Sequence, residues 1–238
     1  LFQDRRKGTG PTAASRFRAL FSWDMTVKTF LRVPKAHPGD RVAVLLGGDT
    51  LELSEPGEAE DFGRRWEDAR ALTEFGDREI TEPWTWAGPA RTVSGQSWGG
   101  CIEVIDQIAL AGRMPAVTDV AGFILLLEAS EEIPSADEVK RWVRALGERG
   151  VLEAAAGVLV ARPPVSALDK PVPSASERSR LRAEQRETII EQVSRHNPHA
   201  VVCVGVPCGH TRPQWIVPFG GIITLDGVSQ VVEAHYQP

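Results

Sequence analysis

The hydrophobic pattern of this chain changes character near Pro83. Upstream, apolar positions are scattered and just two segments read as elements. Residues 12–21 suit a short helix after the turn at residues 8–11. Residues 41–46 (RVAVLL) suit a strand between Pro38-Gly39-Asp40 and Gly47-Gly48. Downstream the periodicity is firmer. Residues 99–112 place Ile102, Ile105, Ile108 and Ala109 at helical spacing and end on a glycine, a common helix C-cap. The apolar run 123–127 lies between Gly122 and Glu128 and predicts a buried strand. Ser135 with Glu138 three residues later forms a capping box, opening a helix with Val139, Trp142, Val143 and Leu146 on one face.

Residues 157–161 predict a second strand, and residues 163–173 a proline-rich loop. A charged helix then spans 176–196 and is expected to bury Leu181, Ile189, Ile190 and Val193. Residues 200–206 form a third strand, followed by short β pieces at 216–217, 222–225 and 228–234, with Asp226-Gly227 as a hairpin signal. Alternating helices and strands that finish in hairpins predict an α/β fold with an antiparallel end.

Charge sharpens the upstream picture. Residues 1–41 carry nine basic and three acidic groups, whereas residues 51–82 carry four basic and eleven acidic. Such a reversal predicts a boundary and a solvated linker. The expected division is therefore a remnant or divergent region at 1–50, an acidic linker at 51–83 and a domain at 84–238. The net charge of −5 argues against a nucleic-acid binder that relies on bulk positive charge. No apolar run exceeds the length of 123–127, far short of the roughly 20 residues of a membrane helix. No export signal opens the chain and its three cysteines are irregularly spaced, so a cytoplasmic location is expected.

Cys203, Cys208 and His210 are close in sequence, but no fourth ligand completes a zinc set, and neither metal nor cofactor is expected. Glu128 closes a buried strand, and His210 follows the strand at 200–206 in the loop PCGHT. Open α/β sheets build their sites at strand ends. A histidine oriented by a carboxylate is the base half of a nucleophilic triad. Spacing alone leaves a structural role for both residues open.

Four further stretches bear on this pair: WTWAGPARTVSGQSWGGCIEVID from Trp84, FILLLEASEEIPSADEV from Phe123, RALGERGVLEAAAGVLVARP from Arg144 and GHTRPQWIVPFGG from Gly209. In this order they resemble the LD-carboxypeptidase family of serine peptidases, especially its branch with the microcin C immunity proteins. The resemblance implies a C-terminal domain with a short mixed sheet, helices and terminal β-hairpins, preceded here by a truncated or divergent N-terminal region. It implies a Ser-Glu-His triad in which His210 is general base then acid and Glu128 its orienter. The implied substrate is a murein tetrapeptide or a peptidyl nucleotide, cleaved at an amide by a homodimer without metal.

Three departures stand out, one being Cys208 where the family usually has a large apolar residue before Gly-His. Cys101 occupies the family's usual Asn position, and no Gly-x-Ser-Asp elbow is present; Gly95-Gln96-Ser97-Trp98-Gly99 has the letters of Gly-x-Ser-x-Gly but directly precedes Gly100-Cys101 within the SGQSWGG stretch. The nearest imitation of the nucleophile is Ser22 in FSWDMT, which lacks the glycine. Ser94 and Ser97 are expected to shape the backbone rather than to attack. Trp84, Trp86, Trp98 and Trp215 are candidates to stack on a ligand, with Trp98 and Trp215 the expected substrate contacts. Two functions follow: a hydrolase whose nucleophile region is divergent or supplied elsewhere, or a binding or immunity module that has lost turnover.

Overall fold

The computed structural model describes residues 50–236. The expected elements at 12–21 and 41–46, Ser22 and all of the expected 1–50 region except Thr50 lie outside the described residues. One sheet of eight strands organises the rest, in the order β1-β10-β9-β5-β6-β7-β8-β4. Its parallel centre is β5 (Thr92–Cys101), β6 (Ile124–Glu128), β7 (Gly157–Ala161) and β8 (Val201–Val206). On one side β9 (Ile222–Asp226), β10 (Val231–His235) and β1 (Thr50–Leu53) add antiparallel, and on the other β4 (Thr85–Ala87) does. The sheet curls enough for β8 and β9 to touch across β5, β6 and β7. A separate two-stranded ribbon pairs β2 (Glu58–Ala59) with β3 (Glu79–Ile80).

Alternation along β6 explains the layering. Leu125 and Leu127 face a core covered by α1 (Ile102–Leu110), α2 (Ala136–Glu148), α3 (Val151–Ala154) and α4 (Ala175–His196). Ile124 and Leu126 face a second core with Leu53, Trp215, Ile223 and Val232, enclosed by the curl itself. The capping box at Ser135 and Glu138 is in place, and Val139, Val143 and Leu146 are buried as patterned. Helix α4 departs from expectation. It buries Arg182, Gln185 and Gln192 beside Ile189 and Val193, while Leu181 and Ile190 are half-buried.

Five strands were not expected from the pattern: β5, the edge strands β1 and β4, and the ribbon of β2 and β3. β5 is read through SGQSWGG, whose glycines and serines mask a strand. Gly95 and Gly99 fit because the backbone leading into and along β6, at Gly122 and Leu126, leaves no room for a Cβ. β1 and β4 are short edge strands. Residues 216–217, expected as β, form no strand, and Asp226-Gly227 opens a four-residue connection between β9 and β10 instead of a two-residue turn.

The acidic stretch is the main correction. Residues 50–83 are not a solvated linker: β1 joins the main sheet, and Glu60 and Asp61 are buried. Asp61 accepts from Arg162 at 2.9 Å and Arg182 at 2.8 Å, and Glu79 pairs with Arg162, Arg178 and Arg182. Burial opposes ionisation of Asp61, but Arg182, the Val165 N–H, Ser166 and Arg162 outweigh it and hold its carboxyl below the ordinary range. Counting charge along a segment cannot reveal partners about a hundred residues away.

Candidate active site

Because β5 to β8 run parallel, their C-terminal ends share one edge of the sheet. Cys101 ends β5 opposite Glu128, which ends β6. Arg162 follows β7, and the loop with His210 follows β8. Strand ends of open α/β sheets are where side chains converge without breaking the hydrogen-bonded ladder.

Glu128 Oε2 lies 3.3 Å from His210 Nδ1. A carboxylate is acceptor-only, so Nδ1 donates to it. The other ring nitrogen, Nε2, lies 2.9 Å from Glu131 Oε2. Burial raises the Glu128 pKa, and the negative charges of Glu103 and Glu131 add to it, against the lowering influence of His210. The apolar wall responsible includes Ile102, Leu127, Val139, Val160 and Ile189. A poorly hydrated carboxylate interacts more strongly with an imidazolium than a solvated one would.

The loop is fixed from several directions. Gly209 lets it close down on Glu128, since a Cβ there would lie 2.5 Å from Glu128 Oε2 and 3.0 Å from Ala161 Cβ. Glu60 and Arg212 exchange two backbone hydrogen bonds of 2.8 Å, so the acidic segment clasps the loop two residues beyond His210. Trp215 N donates to Pro207 O, its Nε1 donates to Ser54 O at 3.0 Å, and Tyr236 donates its hydroxyl to Ile216 O. Buried Ser97 donates to Pro218 O, and its Oγ accepts from the Gly220 N–H.

The remaining candidates fall elsewhere. Trp98 stands on the helix-covered face, edge-on to Phe123 with centroids 6.1 Å apart. Trp215 is buried in the opposite core, so the two do not line a shared pocket. Ser94 hydrogen-bonds Thr224 at 2.8 Å, within the sheet. Cys101 donates to Glu103 Oε2, and burial followed by that carboxylate pushes its thiol up to about 11. Burial and Glu128 push Cys208 up to about 12. Neither is set up as a thiolate nucleophile. Among the described residues, no group of three or more His, Cys, Asp or Glu is arranged to hold a metal ion. Sequence reasoning did not single out Glu131 or Glu103, although both lie inside the stretches that carried the resemblance.

The family profile described as the LD-carboxypeptidase C-terminal domain matches residues 94–225, more than half of the chain. The chain belongs to the LD-carboxypeptidase family. Solved structures agree in fold. An MccF-like protein from Streptococcus pneumoniae, in complex with AMP, has a TM-score of 0.64 at 19% identity, over 86% of this chain and 60% of that one. The microcin C7 self-immunity protein MccF, in an inactive mutant apo state, gives 0.61 at 17% identity, over 86% and 58%. MccF in complex with glutamyl sulfamoyl guanosine gives 0.59 at 18% identity, over 90% and 56%. This chain therefore spans less than two thirds of the length of each. No curated protein matches it significantly by sequence. Among the described residues, no helix is long and apolar enough to cross a membrane.

Proposed function

We propose that this chain carries the base half of a serine-peptidase-type amide hydrolase, with His210 as general base and acid and Glu128 as its orienter. The observation that carries the reading is the Glu128–His210 contact of 3.3 Å at the C-terminal edge of the parallel strands. Glu128 fixes the tautomer with the proton on Nδ1, leaving Nε2 to take a proton from an attacking hydroxyl. The imidazolium so formed is stabilised by the desolvated carboxylate and returns its proton to the leaving amine. Acyl transfer through a hydroxyl needs no metal in this scheme.

The substrate we propose is a small peptide amide or a peptidyl nucleotide. The nucleotide class is supported by the relatives solved with AMP and with glutamyl sulfamoyl guanosine. Ser22 is the nucleophile candidate within this chain, and a second polypeptide is the other source. A fluorophosphonate probe separates these, applied to the chain as produced in its native host and read by mass spectrometry. Labelling of a serine, abolished in His210→Ala, is the expected result. An unlabelled chain and unlabelled co-purifying partners would instead identify a binding or immunity module that has lost turnover.

A further inference from the structure

We propose that Glu131 gates the base: in the resting protein its carboxylate occupies the one ring nitrogen of His210 that the reaction needs. The inference rests on the hydrolase reading of His210 given above. Glu128 holds Nδ1 at 3.3 Å and Glu131 holds Nε2 at 2.9 Å. The Glu128 carboxylate accepts from Nδ1, while the Glu131 oxygen lies against Nε2 and covers the side from which a hydroxyl would approach it. A ring nitrogen covered by a carboxylate oxygen has no room for the hydroxyl whose proton it is to accept. Catalysis then requires Glu131 to leave first.

The backbone around Glu131 is built to aim it. Ser130 to Ile133 form a turn closed by the Ile133 N–H on Ser130 O at 3.1 Å. Glu103, in the first turn of α1, anchors that turn by accepting from Ser130 N at 2.9 Å and Ser130 Oγ at 2.8 Å. On the far side Lys170 donates to Glu132 O at 2.9 Å. Ile133 sits at φ 59°, a left-handed conformation that a β-branched residue adopts only when its surroundings impose it. Glu103 is thus spent on the turn, and burial opposes its ionisation less than its hydrogen bonds from Cys101 and Ser130 favour it.

The side chain itself is free to swing. Glu131 is 70% exposed, and its charge faces that of Glu128 across the same imidazole. An exposed side-chain contact opposed by a second carboxylate is a weak latch, which an incoming hydroxyl or substrate group displaces by rotating the side chain while the turn stays put.

Diethyl pyrocarbonate reads the latch directly, because it acylates an imidazole nitrogen only through a free lone pair. In the full chain, followed by peptide mass spectrometry, Glu131→Ala should speed modification of His210 about fivefold, the scale of an exposed side-chain contact. Glu131→Gln should give a smaller acceleration, and Glu132→Ala none. Exposed His199 serves as the internal reference and should react at one rate throughout. A His210 rate unchanged in both Glu131 variants overturns the gate and leaves the hydrolase reading standing. That reading falls separately, on the absence of serine labelling.

Discussion

At the residue scale, the contact between Glu128 and His210 depends on what is missing from Gly209. Any side chain there meets Glu128 Oε2 and Ala161. Gly209→Ala should push the loop back and lower the serine-labelling rate by about 100-fold, as ångström-scale misplacement of a base does. Its circular dichroism should match the parent. Glu128 makes a second, opposite prediction. Burial raises its folded pKa above the unfolded value, so the folded protein holds that proton more tightly. Ionisation therefore costs stability as pH rises through the folded pKa, a cost absent below the unfolded one. Glu128→Gln should raise the melting temperature at pH 7, with the gain shrinking toward pH 4, while abolishing labelling. An equal or lower melting temperature at pH 7 would show that the His210 contact outweighs desolvation. The sequence marks Glu128 and His210, since each follows a strong strand signal. Glu131 carries no such mark, because nothing in SEE distinguishes a carboxylate over a ring from one in solvent.

At the element scale, the legible parts were those with local causes. The capping box of α2, the buried runs of β6, β7 and β8 and the charged face of α4 all follow from spacing that one segment contains. β5 was hidden because its side chains do not drive it. Its stability comes from ladders on both sides, to β6 and β9, and from tertiary bonds that no local pattern announces. Ser97 is the clearest of these: its hydroxyl bonds Pro218 O and Gly220 N, holding the distal end of the His210 loop to the strand. Ser97→Ala removes the bond to Pro218 O, while the Gly220 N–H keeps its second acceptor, Ser97 O, so the cost is about 1 kcal/mol. Denaturant unfolding should show that loss, and hydrogen exchange should quicken at Gly220 and Gly221. A variant with unchanged exchange in that loop would show that Trp215 and Tyr236 hold it unaided.

At the scale of the whole molecule, the acidic stretch decides how the site is enclosed. Its charge balance alone hides this, because the compensating arginines, Arg162, Arg178 and Arg182, belong to the end of β7 and to α4. Folding makes the segment a strap across the strand ends, tied at Asp61 and Glu79 and clasping the His210 loop through Glu60 and Arg212. Asp61→Asn should loosen it. The change leaves Arg162 and Arg182, both buried, with less than their full charge compensation, and breaking such a buried pair costs about 3 kcal/mol. Hydrogen exchange at neutral pH should quicken at Val165, at Glu60 and at Arg212, spreading to the loop because the two backbone bonds couple them. Acid should reproduce this in the parent. The folded pKa of Asp61 lies below its unfolded value, so its contribution is complete above the unfolded pKa and is lost as pH falls through the folded one. If Asp61→Asn speeds exchange at Val165 but leaves Arg212 unchanged, the strap and the loop are independent, and the base is held by its own strand alone.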